Sequence, residues 1–352
     1  MTILNRTKNA FLKKQPFVVY RKPNDFFLKG IFPKDNELRF TSNYTEKGFV
    51  FAPFDVKSQA ILFPLKTANF FKEKVLVKQV DVIVHKKTNI SKLAKDKYLE
   101  LVQKGITAIH NKEFKKVVLS RKETVTITNF NLVSSFQKLL KLYKNAFVYV
   151  WYHPKVGLWM GATPETLVDT EGTKYTTMSL AGTQSFIGTT EVTWQKKEID
   201  EQQFVTDFII NNLKEITLNL QKSKRETVRA GNLLHLKTII KGEFQKKSLQ
   251  KIIKILHPTP AVCGVSKEKA KKFILKNENY NRKFYTGFLG ELNFNYTNSS
   301  NLISTFYVNL RCMEIKKNEI ILYIGCGITA ASIPEKEWKE TVEKSKVMKL
   351  VL

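Results

Sequence analysis

The chain has 352 residues, room for one large domain or two ordinary ones, and its 43% hydrophobic and 12% aromatic content excludes a disordered protein. It is strongly basic, with 59 Lys+Arg against 31 Asp+Glu and a formal net charge of +28. The lysines are scattered along the chain rather than gathered in one arm or helix, so the excess reads as a solvated surface more than as a nucleic-acid footprint.

MTILNRTKNAFLKK has no apolar stretch long enough for a signal peptide, and no run of ~18 apolar residues predicts a membrane span. Cys263, Cys312 and Cys326 are odd in number and lack CxxC spacing, which points to a reducing cytoplasm rather than to disulfides or zinc. Up to about Val84 the sequence reads as strands and turns: FVVYRKP, ELRFTS, GFVFAPF, QAILFPL and VKQVDVIVH. A helix is predicted over KDKYLELVQKGITAIHNKEF, with Tyr98, Leu101, Val102, Ile106 and Ile109 on one face. The strand KKVVLSRKETVTI and a helix at NLVSSFQKLLKLY follow. Strands at NAFVYVWYH, VGLWMGATP and TLVDTEG then lead into TKYTTMSLAGT. A long helix is expected from about Thr193 to Leu220. YTGFLGELNFNY, STFYVNLRCMEI and NEIILYIGCGI read as an antiparallel meander, closed by a helix starting near Ser332. With no repeat and no low-complexity linker, the pattern is α+β with antiparallel sheets.

Near the C-terminus, PEKEWKET concentrates acid in a basic chain. Ser332 and Glu335 have the spacing of a capping box, with Pro334 tolerated in the first turn. Trp338, Thr341, Val342 and Ser345 make the inward face of that helix, and Glu337, Glu340 and Lys344 a stripe on its flank. In the long helix, Val205, Phe208, Ile209 and Ile216 are the apolar face, and Glu198 and Glu201 project onto it. Two inward E-x-x-E pairs are costly unless neutralised. A hard divalent ion such as Mg²⁺ or neighbouring lysines would do so.

Other groups suit an anion. Gly325 and Gly327 are expected to end a strand in a tight turn whose amides could grip a carboxylate. Arg311 lies in an otherwise apolar strand, where an inward arginine needs an acid. Glu165 follows Pro164 at a strand end. Lys115 and Lys116 point to opposite faces of their strand, so one of the two is buried. A lysine desolvated near other cations can serve as a general base. His235 and His257, in apolar surroundings, read as structural.

KKVVLSR, GATPETL, SLAGT, KEIDEQQFV, LLHLKT, LHPTPAVCG, YTGFLGELN, NLRC and GCGITAASIPEKEWKETVEK, in that order, resemble the chorismate-utilising enzymes, and within them the isochorismate synthases. The resemblance covers about Ala94 to Leu350. It implies one α+β domain over residues 1–352, with two packed, mostly antiparallel sheets and helices outside. Residues 1–92 would be its strand-rich N-terminal portion and 93–350 its catalytic core. By the same resemblance Lys116 is the general base that activates water for attack at C2 of chorismate. Glu165 is the acid that protonates the departing C4 hydroxyl. Glu201 and Glu340 would bind Mg²⁺, with Glu198 and Glu337 in or just behind that shell. Arg311, Tyr285, Lys344 and the Gly325–Gly327 amides would hold the substrate carboxylates, and Ala181, Gly182, Thr183, His235, Ala261, Leu310 and Cys326 would line the pocket.

Ala261 argues against a salicylate synthase, the first alternative. A basic nucleic-acid-binding protein is the alternative from another class. Gln202 and Ser266 depart from the family's usual residues, the first beside a metal ligand. The expected partner is chorismate alone, without a glutamine amidotransferase subunit, nucleic acid or membrane span, in a cytoplasmic monomer or weak dimer serving menaquinone or siderophore synthesis.

Overall fold

The computed structural model describes residues 1–75, 91–244, 249–295 and 301–352. The expected strand VKQVDVIVH falls wholly outside these. Among the described residues every strand pairing is antiparallel, and the strands form two sheets. One has nine strands, running from the edge pair Gly264–Val265 and Lys116–Thr126, through Glu319–Ile328, to Ala68–Lys74. The other has ten, running from Thr217–Lys222 through Leu233–Phe244 and Lys174–Ser185 to Arg39–Thr41, with Glu226–Ala230 paired to one side. This is the α+β architecture expected. The N-terminal strands extend both sheets: Phe17–Arg21 pairs with Phe147–His153, and Gly48–Ala52 with Phe288–Phe294.

The alternating apolar residues of these strands face each other across the sandwich. Tyr20, Phe49, Phe51, Phe63, Phe147, Tyr149, Trp151 and Trp159 are all buried in one interlayer cluster. Phe51 stacks on Phe284 with centroids 4.2 Å apart, and Phe147 on Tyr307 at the same distance. Each ring of 150–250 Å² contributes about 4–6 kcal/mol when fully buried. This layer fixes how the two sheets sit on one another.

Helices cover the outer faces. Ile3–Leu12 and Leu132–Leu142 pack on the first sheet, and Lys196–Leu213 and Leu249–Leu256 on the second. Lys92–His110 and Lys267–Asn277, with the start of Pro334–Lys349, pack against the strands that carry Lys116 and Cys326.

Several expectations change. The long helix ends at Leu213, and 217–222 folds back as an edge strand, so Ile216 is not on the helix. STFYVNLRCMEI is two strands in different sheets, Ile303–Val308 and Cys312–Ile315. The helix Ile3–Leu12, the strands Phe27–Pro33 and Ala68–Lys74, and the helices Leu249–Leu256 and Lys267–Asn277 are additions.

The capping box does not form. Ile333 occupies the N-cap of the last helix and no side chain caps it, because the Ser332 hydroxyl accepts from the Thr329 amide at 3.0 Å. Glu335 instead pairs with Lys95 of the neighbouring helix at 3.0 Å.

Candidate active site

At two places the chain crosses from one sheet to the other. Gly157–Thr163 lies in the nine-stranded sheet and Thr166–Glu171 in the ten-stranded one, so Pro164 and Glu165 form the first crossing. Asn309, Leu310 and Arg311 form the second, between Ile303–Val308 and Cys312–Ile315. The crossings run side by side. The Val308 amide donates to Glu165 O at 2.9 Å, the Ala162 amide to Arg311 O at 3.0 Å, and Thr163 Oγ1 to Val308 O at 2.6 Å. Arg311 has a left-handed backbone, φ +47°, uncommon for a non-glycine and costly unless its surroundings hold it. The seam thereby brings Glu165 and Arg311 to one cavity.

That cavity is lined by Glu165, Ala181, Gly182, Thr183, Glu201, His235, Ala261, Tyr285, Leu310, Arg311, Gly325, Cys326, Gly327 and Lys344 from the sequence reading. Thr286, Tyr323 and Val262 line it too, without having been singled out.

Lys116 is the buried member of its pair, at 0% exposure, while Lys115 is exposed. Its Nζ lies 3.1 Å from Glu201 Oε1, and this ion pair lacks hydrogen-bond geometry. Glu165 is fully buried, and desolvation pushes its carboxyl up to about 8 against the opposing pull of Lys116 and Arg311. It is protonated at neutral pH, as a general acid requires.

His235 is driven down to about 3 by burial and then by the charges of Arg311 and Lys344, so its ring is neutral. Nδ1 sits 2.8 Å from Gly182 O, which makes Nδ1 the protonated nitrogen. Nε2 is left to accept from Arg311 Nη2 at 3.3 Å. Gly182 makes this approach from a left-handed turn, φ +74°, at an irregularity in its strand.

Gly325 and Gly327 are not in a turn; they belong to the strand Glu319–Ile328 and pair with Ser120 and Val118. The Ser120 amide donates to Glu278 Oε1 and the Val118 amide to Cys263 O, so both point away from the glycines. In such antiparallel pairs the opposing backbone groups also point outward. The Gly325 and Gly327 amides therefore face the side where, beyond Tyr323, the neighbouring strand has ended. The Gly325 carbonyl on that side accepts from Lys344 Nζ at 3.1 Å. A Cβ on Gly327 would collide with the Glu201 carboxylate. The expected anion-gripping amides are available, from a strand instead of a turn.

The four helix glutamates are held mainly by lysines. Glu337 is buried beside Lys197 Nζ at 2.5 Å, Glu340 pairs with Lys344 at 2.6 Å, and Glu201 with Lys116. Among the described residues no three acidic, histidine or cysteine groups gather as a metal site would. The donor set nevertheless suits a hard cation, because Glu198 Oε2 and Glu337 Oε2 are buried without a hydrogen-bond partner. Burial, then the Glu340 charge, raises the Glu337 carboxyl, and Lys197 opposes both. Lys197 was not picked from the sequence; its signal was a cation next to Glu198 and one turn before Glu201. Gln202 points away from the site: its Nε2 donates to Ser179, Thr206 and Thr238, and its Oε1 accepts from Arg225.

The family model described as chorismate binding enzyme matches residues 59–352. The chain belongs to the chorismate-binding enzyme family. It is 28% identical to the isochorismate synthase DhbC of Bacillus subtilis over 272 residues, 71% of this chain and 66% of that one. It is 27% identical to the isochorismate synthase MenF of Haemophilus influenzae over 258 residues, 70% of this chain and 58% of that one. The chain thus spans about two thirds or less of the length of these relatives. Among solved structures, the menaquinone-specific isochorismate synthase MenF of Escherichia coli superimposes with a TM-score of 0.80 at 20% identity, over 100% of this chain and 91% of that one. At that identity the likeness is one of fold, and the fold is that of the chorismate-utilising enzymes.

Proposed function

We propose that this member of the family is an isochorismate synthase, converting chorismate reversibly to isochorismate. The observation that carries the reading is the buried, protonated Glu165 at a cavity that also holds Arg311, two strand amides and Glu201, whose carboxylate the buried Lys116 touches from behind the lining. Chorismate is a dianion, and Arg311, Lys344 and the Gly325 and Gly327 amides offset its carboxylates. Lys116, in its neutral amine form, takes a proton from water as the oxygen bonds to C2. Glu165 gives a proton to the C4 hydroxyl as that C–O bond breaks. Water enters and water leaves, so the change is an isomerisation.

Mg²⁺ bound by Glu201 and Glu340, with Glu198 and Glu337 in or behind that shell, would supply charge neutralisation at the ring carboxylate. Neutral His235 adds no further positive charge beside Arg311 and Lys344, and its lone pair fixes the Arg311 guanidinium. Isochorismate would feed menaquinone or a catechol siderophore. No helix among the described residues is long and apolar enough to cross a membrane.

Purified protein is incubated with chorismate and Mg²⁺ and the products are separated by chromatography. Isochorismate without salicylate is expected. Salicylate with pyruvate would replace this reading by a salicylate synthase, and no turnover would end it. Lys116→Ala should abolish product while leaving substrate binding; full activity would refute the base assignment.

A further inference from the structure

A second, larger cleft lies directly behind the cavity described above. Pro164, Leu180 and Arg311 line both, so these three residues are the partition between them. The cleft is bounded by the loop after the first strand (Pro23, Asn24), the end of the helix Leu132–Leu142 with the turn that follows it, and the strand 226–230. Five cations line it, Lys141, Lys144, Arg229, Lys237 and Arg311, and no carboxylate does.

Lys144 and Arg229 are exposed at its rim. Arg229 is held there, its guanidinium 3.6 Å over the Phe186 ring and its Nε donating to Gly231 O at 2.8 Å. Lys237 pairs with Glu226, which is outside the lining, at 2.8 Å. A concave surface of one sign focuses its field and raises the local concentration and arrival rate of small counter-ions by about 10–10³-fold. The chain's charge is scattered, but here the fold gathers it against the wall of the site.

We propose that this cleft is an anion-staging vestibule: it takes a small organic dicarboxylate and passes it by Arg311 into the catalytic cavity. Arg311 is the common element, facing both spaces; its guanidinium donates to the neutral His235, and among the described residues no carboxylate forms an ion pair with it. The identity of the dicarboxylate as chorismate rests on the function proposed above; the vestibule itself rests on the lining.

Two measurements separate these. In steady-state kinetics with chorismate, kcat/KM should fall severalfold between about 20 and about 300 mM NaCl, with kcat nearly constant, as screening predicts. Arg229→Glu and Lys144→Glu should each lower kcat/KM about tenfold at low salt, flatten the salt dependence and leave kcat within about twofold. Lys316→Glu makes the same change in net charge at an exposed site outside the cleft and should have little effect. Equal losses from Lys316→Glu, or none from the cleft variants, would overturn the vestibule. If chorismate is not turned over, the function fails first, and calorimetric titration with isophthalate decides the vestibule alone. Weaker isophthalate binding in Arg229→Glu and Lys144→Glu, but not in Lys316→Glu, supports it; unchanged affinity in all three overturns it.

Discussion

Replacing Glu165 by glutamine tests whether burial holds this carboxyl protonated. The side chain sits at the sheet crossing, 3% exposed, where desolvation outweighs the Lys116 and Arg311 charges and moves it from an ordinary 4.5 to about 8. Between those values the folded protein keeps a proton that the unfolded chain gives up, so stability falls as pH rises through the window. At about 1.4 kcal/mol per pH unit, the whole displacement is on the order of 5 kcal/mol. The full contribution is present below about pH 4.5 and lost above about pH 8. Glutamine has the same shape and cannot ionise, so Glu165→Gln lacks this slope. Urea denaturation of both proteins from about pH 5 to about pH 9 should show wild type losing several kcal/mol relative to the variant. Parallel stability curves would refute the burial argument and, with it, the reason for assigning Glu165 as the acid. Wild-type kcat/KM should also decline above about pH 8, where the acid loses its proton.

Lys197→Met leaves Glu337 buried without its cation and should cost about 3 kcal/mol or more in the metal-free protein, read as a fall in the urea midpoint. Adding Glu337→Gln should restore most of that loss; no recovery would mean that the ion pair is not the cause. Gly327→Ala places a methyl group against the Glu201 carboxylate, the movable end of a side chain, so the fold should survive while kcat/KM drops about 10²-fold. Circular dichroism and kinetics on the same preparation check both halves, and retained activity would show that Glu201 need not stand where it does.

Local pattern carried the reading furthest where one residue's environment repeats along an element. Strand alternation located most of the strands after residue 92, and the E-x-x-E spacing found both glutamate pairs. It failed where a distant segment decides. The Leu249–Leu256 helix buries Leu249, Ile252, Ile253 and Leu256, a helical stripe that was present in the sequence but is short. KEITLNLQ continues the long helix by composition alone. In the fold it becomes an edge strand because Leu233–Phe244 offers backbone partners. Ser332 and Glu335 have the spacing of a capping box, yet a nearby amide and Lys95 compete for them successfully.

By itself the sequence singled out the candidate residues: a lysine on an alternating strand, a glutamate after a proline, and paired carboxylates three apart on helix faces. Those are properties of spacing along one element, set by the geometry of strand and helix. The tertiary structure alone decided which lysine is buried, that lysines of other elements sit on Glu201 and Glu337, and that Glu165 is an acid at neutral pH. Each depends on solvent exclusion and on charges brought from other elements. Two neighbouring sheet crossings do that here, by carrying Glu165 and Arg311 into the space between the sheets, where water is scarce and opposite charges are close.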